Sequence, residues 1–291
     1  MEIIFHSDDM GMTPNVTRNL LKAWDQNLIN SFSILANGDG LEIMSLYLKE
    51  NETKQARIAV HLNLSEGLSS LNYKELSLIT TPDGYLNCSF IGLLIKWFLY
   101  SKQKKTILLE QIEKEWKAQI EKIQEICSPR KINALDSHTH IHMLPFIFPI
   151  VIKLSKLYNI PEIRITREIF HIKSLFDLLS PSWNINLIKH LLLNLLSIIV
   201  KTNMTFDTIQ QPEAMIGILY TGNMTLKAAK AGINVSQKNN IKKLEVLFHV
   251  GRALQSESER WALNKSFARF PLSEHRDREF NELMNLRKDY P

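Results

Sequence analysis

The chain alternates short apolar runs with longer amphipathic ones. Residues 2–6, 31–36, 56–62, 132–138, 162–166, 215–220 and 244–249 are short and apolar, and predict strands. Between them, residues 16–26, 41–50, 107–126, 147–157, 187–200 and 226–231 read as helices, and a terminal helix is predicted near 274–287, beyond Gly251. Alternating β and α units imply a parallel sheet with helical crossovers. No G-x-G-x-x-G fingerprint is present, so the pattern favours an α/β fold built as an irregular (β/α) barrel of about seven parallel strands. A single domain spanning 1–291 is expected, with helical additions around 170–210 and an insertion or lid around 66–106, where Thr81-Pro82-Asp83-Gly84 supplies turn chemistry.

Composition narrows the setting. A chain of 291 residues, 45% hydrophobic and 22% charged, describes a globular protein with a sizeable core. The net charge of +5 is dispersed and no nucleic-acid motif occurs, which excludes that class of partner. Cys88 and Cys127 lack a pairing motif, and Met1-Glu2-Ile3-Ile4-Phe5 lacks a basic leader; a cytoplasmic setting is expected. Residues 90–100 and 187–200 are rich in Leu, Ile and Phe, yet each is too short to span a bilayer and carries a lysine, Lys96 or Lys189. They predict half-buried helices, a homodimer interface, or a surface that meets lipid at the inner membrane face. Lys102-Gln103-Lys104-Lys105 beside the first suits anionic head groups.

Three distant segments hold the candidate chemistry: His6-Ser7-Asp8-Asp9-Met10-Gly11, His61-Leu62-Asn63-Leu64-Ser65-Glu66-Gly67, and Asp136-Ser137-His138-Thr139-His140-Ile141-His142-Met143-Leu144-Pro145. Each sits where a predicted strand stops, and parallel barrels gather their reactive groups at the carboxyl ends of strands. Arg164, Arg167 and His249 close later strands in the same way. A carboxylate with two imidazoles binds one divalent cation, Mg²⁺ or Zn²⁺, and leaves positions open, the layout of a metal-assisted hydrolase. Paired acids after a strand also cap helices, but Thr13 or Asn15 can do that work. Neighbours on a strand point oppositely, so Asp8 and Asp9 reach one site only if the chain turns there, which Gly11 permits. Asp136, His138, His140 and His142 share a face if the strand continues. They cannot all hold one ion, because i and i+4 lie about 13 Å apart on a strand. Asp136 is expected to orient a ligand.

The same segments resemble the YdjC-like carbohydrate deacetylase family, whose signatures are similar to an A-D-D-F-G opening, an H-x-N-L-x-E-G segment, a D-S-H-x-H-x-H-x-x-P segment and a late histidine in an E-x-M-x-H-P-G stretch. Here the last reads Glu245-Val246-Leu247-Phe248-His249-Val250-Gly251. The resemblance implies an irregular barrel like that of polysaccharide deacetylases, acting on an N-acetylated sugar or glycolipid. It places Asp9, His61 and His138 on the metal, Asp8 as base and His249 as acid. Asp136, His140, His142, Arg164, Arg167 and Asn63 would orient ligands or touch substrate, with a structural contact near Met143 and Pro145 the alternative for His142 and a barrel-rim salt bridge the alternative for Arg164 or Arg167. Met10 replaces Phe, and Val250 replaces Pro, which removes a rigid turn beside His249. The middle of the chain, with Ser182-Trp183, Gly217 and Tyr220-Thr221-Gly222-Asn223-Met224-Thr225, resembles the branch associated with hopanoid biosynthesis. Outside that resemblance stand a different metallohydrolase, either a phosphoesterase or an amidohydrolase, and a non-catalytic carbohydrate-binding relative. A phosphoesterase would show a second metal and more carboxylates, and an amidohydrolase normally carries its H-x-H on the first strand.

Overall fold

A computed structural model describes residues 1–204, 206, 209–261 and 269–291. Seven strands form one sheet: β1 (Glu2–Met10), β2 (Ser31–Ile34), β3 (Arg57–Leu62), β4 (Ala134–Ser137), β5 (Glu162–Ile163), β6 (Ala214–Ile216) and β7 (Lys243–Phe248). Their order is β5-β4-β3-β2-β1-β7-β6, and every pairing is parallel. The two edges approach each other through single bridges, Glu162 to Gln210 and Glu168 to Met215, so the sheet curls toward closure without a regular last seam. Helices α1 (Pro14–Asp25), α2 (Leu41–Glu50), α3 (Phe90–Leu99), α4 (Lys102–Cys127), α5 (Phe148–Leu157), α6 (Pro181–Asn203), α7 (Leu226–Lys238), α8 (Gln255–Trp261) and α9 (His275–Asp289) fill the crossovers and the C-terminal end.

Local chemistry explains where these elements start. The Thr13 side chain caps α1 by accepting from the Val16 N–H, with Pro14 in the first turn. Asp8 and Asp9 are therefore free of capping duty. Ser101 and Ser180 cap α4 and α6, and so both helices begin five or six residues before their apolar runs suggest. At 23 residues, α6 is long and apolar enough to cross a membrane, which corrects the shorter span read from the sequence. One of its faces, with Trp183, Leu193, Leu196 and Val200, is buried against the body.

Two expected strands are cut short. Gly217 takes φ +143° and ends β6, and β5 keeps only two residues before its backbone turns to pair elsewhere. The segment 66–106 holds a short 3₁₀ turn, two isolated antiparallel bridges and α3. Polar side chains on one face of α4 strap it down. Gln111 accepts from the Leu78 N–H, Glu115 from those of Ser70 and Leu71, and Gln119 pairs with the Asn63 backbone. These positions recur every four residues, a helical stripe.

Candidate metal centre

The end of β1 sets the geometry. Register slips between Ser7 and Met10, and Asp9 itself takes φ +74°, the left-handed region that Asp tolerates better than most residues. This bulge turns Asp9 so that it reaches the same site as Asp8. The turn expected of Gly11 thus begins two residues earlier, although Gly11 follows at φ +85°. His61, next to last in β3, faces the pair.

The run after Asp136 does not continue as a strand. β4 stops at Ser137, and Thr139 and His140 both take φ +56° in a 3₁₀ turn. His138 is carried into the site, His140 reaches the wall of the same cavity, and His142 is turned away. His142 is buried, with Nδ1 on Ser137 Oγ and Nε2 on the Arg164 carbonyl, so it braces the turn.

Asp9, His61 and His138 converge. Asp9 Oδ1 lies 3.7 Å from His61 Nε2 and 3.3 Å from His138 Nδ1, and one donor atom from each residue falls within 4.8 Å of the other two. Metal–ligand bonds of about 2.0–2.2 Å place ligands roughly 3–3.6 Å apart, so small side-chain adjustments complete the set. Asp9 Oδ1 is buried and, among the described residues, has no well-formed hydrogen bond, an orphan that a cation would satisfy. Burial disfavours a charged His138, yet Asp9 and Glu66 push its ring up to about 10, so the position attracts positive charge. These residues fit a divalent ion. A second cluster, His6, Asp8 and Asp136, has metal-like spacing too. There the Arg164 guanidinium already lies 3.0 Å from Asp8 and 2.9 Å from Asp136, supplying the cation.

Asp8 is heavily bonded. It accepts from Ser33 Oγ at 2.9 Å, from Arg164 at 3.0 and 3.2 Å, and meets His6 Nε2 at 3.0 Å. Burial opposes its ionisation, but Arg164 and the neighbouring imidazoles hold its carboxyl well below the usual range. Asp136 accepts from His61 Nδ1 at 2.7 Å and orients that ring. Arg164 also meets Glu245 at 2.6 Å.

His249, just past β7, lines the cavity, and burial pushes its ring down to about 4. Its ring stands edge-on to Phe270, and its backbone N–H donates to Glu279 at 2.7 Å. The Val250 N–H donates to Ser7 Oγ, a bond that proline could not make, so the substitution exchanges a rigid turn for a hydrogen bond. Arg167 is exposed and, among the described residues, its side chain bonds the Glu213 carbonyl, so it stands outside the site. Asn63 is not on the cavity wall either. It bonds the Ser65 N–H and the Glu66 carbonyl, folding the loop that presents Glu66.

Three contributors have no role in the sequence reading. His6 supports Asp8 from below. Glu66 lines the cavity, 3.5 Å from His138 Nε2. Arg276, fully buried in α9, donates to Asp9 Oδ2 at 2.9 Å and to the Gly251 carbonyl at 2.7 Å, leaving Oδ1 for the site. The cavity itself is about 670 Å³. Asp8, Asp9, His61, His138, His140 and His249 form its polar end; Phe90, Ile91, Ile185, Ile188 and Leu192 form an apolar wall.

A family model described as YdjC-like protein matches residues 2–287. A carbohydrate deacetylase of Oceanobacillus iheyensis is 27% identical over 164 residues, covering 55% of this chain and 64% of that protein. One from Listeria monocytogenes serotype 4a is 28% identical over 160 residues, covering 55% and 59%. The matched regions thus span about six-tenths of these relatives. A crystal structure of a proposed cellobiose-phosphate cleavage protein from Enterococcus faecalis V583 superposes with TM-score 0.68 at 18% identity, over 99% of this chain and 92% of that one, and shares the fold. With the match running over nearly the whole chain, this protein belongs to the YdjC-like family.

Proposed function

We propose that the protein hydrolyses the N-acetyl amide of a sugar, with one divalent ion, Zn²⁺ or Mg²⁺, held by Asp9, His61 and His138. The observation that carries this reading is the orphaned Asp9 Oδ1 between two imidazoles, at the polar end of a half-open cavity. The names of the curated relatives supply the sugar and the acetyl group. The apolar wall leaves room for a greasy aglycone, so a glycolipid is the favoured form of the substrate.

The ion, when bound, would polarise the acetyl carbonyl and acidify water. The chain supplies the rest. Asp8, ionised and fixed by Arg164, takes the proton as water attacks. His249, neutral at rest, takes up a proton from solvent and gives it to the departing amine, which would otherwise leave as an amide anion, while Asp8 returns the water's proton to solvent. Asp136 keeps His61 in one ring orientation, and His140 and Glu66 bound the space for the sugar. One observation favours a second division of labour. Asp8 spends its lone pairs on four donor contacts, whereas His249 is held neutral and ready to accept. In that version His249 carries both proton transfers and Asp8 fixes the local charge. The decisive experiment combines metal analysis of the purified protein with mass spectrometry of N-acetylglucosamine oligomers and N-acetylated glycolipids. Loss of one acetyl group, abolished by chelation and restored by the ion, is expected. A protein without metal that leaves every N-acetyl sugar intact removes the proposal.

A further inference from the structure

We propose that α3, the 175–179 turn and α6 form a face that beds on a bilayer of anionic phospholipid, with α6 lying flat in the interface. Phe98 and Leu99 at the end of α3 are 78% and 77% exposed, and Phe176 and Leu179 in the turn are 80% and 78% exposed. Single exposed apolar residues are ordinary, but a set this large on adjoining elements marks a contact surface. The surface is continuous with the site. Phe90 and Ile91 of α3 and Ile188 and Leu192 of α6 line the cavity, and Ile91 and Ile188 are themselves 67% exposed.

Charge selects the occupant. From Gly84 to Leu109 the sequence has no Asp or Glu; Lys96 turns its ammonium to the Leu78 carbonyl, and Lys102, Lys104 and Lys105 form the basic rim. From Ile169 to Asn203 the sole acid is Asp177, which is buried. A second copy would bring two such surfaces together, lysine against lysine. Anionic head groups complement the basic rim while acyl chains take the apolar side chains. The inner face of α6 excludes a spanning arrangement. Asn186 donates to the Leu219 and Thr221 carbonyls, and His190 pairs with Glu168 at 2.9 Å; crossing the bilayer would strip these bonds.

The test is co-sedimentation with vesicles of phosphatidylcholine alone and of phosphatidylcholine mixed with phosphatidylglycerol. The readout is independent of turnover, so it stands or falls apart from the deacetylase reading. The protein is expected to pellet with the mixed vesicles, about tenfold less with the neutral ones, and to be released by salt. The double variants F98D/L99D and F176D/L179D should each lose about tenfold in binding while keeping the thermal midpoint and metal content, because these side chains lie outside the core and the site. Failure to pellet with the mixed vesicles overturns the proposal. So does unchanged binding by both folded variants, or a dimer seen by light scattering that the same substitutions split.

Discussion

Arg276 is the residue through which the C-terminal helix reaches the candidate metal centre, and its removal separates the charge of Asp9 from its surroundings. The substitution Arg276→Met keeps the unbranched stem and deletes the guanidinium. In the metal-free protein, Asp9 then keeps a buried carboxylate that has lost its guanidinium at 2.9 Å and retains only the His138 ring at 3.3 Å as a positive neighbour among the described residues. Breaking a buried pair by removing one partner costs about 3–5 kcal/mol, or about 6–10 °C in midpoint at roughly 2 °C per kcal/mol for a chain of this size. In the metal-loaded protein the ion supplies the missing charge. What remains is chiefly the lost bond to the Gly251 carbonyl, about 1 kcal/mol. The assay is urea unfolding of wild type and variant, each with chelator and with saturating Zn²⁺. The expected result is a large loss without metal that mostly disappears with it, so that the variant gains more from the ion than wild type does. Equal losses in both conditions would show that Arg276 does not act through Asp9 and that the ion does not sit beside it.

Two further tests address the neighbouring groups. Asp8→Asn should remove most turnover, by about 10²–10⁴-fold, while metal content stays, whereas Asp9→Asn should lower metal content; equal metal loss in both variants would break the division between them. If His249 carries both proton transfers, Asp8→Asn will instead leave appreciable turnover, with the acidic limb of the pH–rate profile intact. Burial pushes the Glu279 carboxyl up to about 7 from an ordinary 4.5, against the His249 and Met224 N–H groups and Arg276. The folded state therefore binds the extra proton between those values. This contribution to stability is fully present below about pH 4.5 and is lost as pH rises through about 7, a difference of roughly 3 kcal/mol relative to Glu279→Gln. Urea midpoints of the two proteins measured across that range should converge or cross; parallel curves would refute it.

The strand ends were legible because each polar residue there interrupts an apolar run. Asp8, Asp9, His61 and His249 stand out for that reason, and the parallel sheet that brings them together follows from the β/α alternation. The path after Asp136 was not legible. Alternation along His138-Thr139-His140-Ile141-His142 reads as a strand, but a bonded turn wins. Ser137 Oγ ties back to His142, and two left-handed residues redirect the chain. Arg276 was invisible for a different reason. It lies 267 positions from its partner, in a terminal helix whose local pattern carries no sign of the contact. Arg167 misled because it closes an expected strand. β5 ends at Ile163, so Arg164 falls at the strand end and is drawn among Asp8, Asp136 and Glu245, whereas Arg167 reaches the surface.

The bulge at Asp9 bears on whether this site can be moved. Grafting the same side chains onto a flat strand of another barrel would send the two carboxylates to opposite sides of the sheet. A working copy has to import the backbone as well: a left-handed Asp9, then Gly11, where a Cβ would meet Leu41 at 2.9 Å and the Leu35 carbonyl at 3.2 Å. Position 9 thus answers to two demands at once, a carboxylate for chemistry and a residue that accepts positive φ. Glutamate meets the first demand and is penalised by the second, and glycine the reverse. Asparagine alone keeps both shape and backbone while surrendering charge. A library at this position should therefore yield folded but metal-poor proteins with Asn or Gly, and poorly folded ones with β-branched residues.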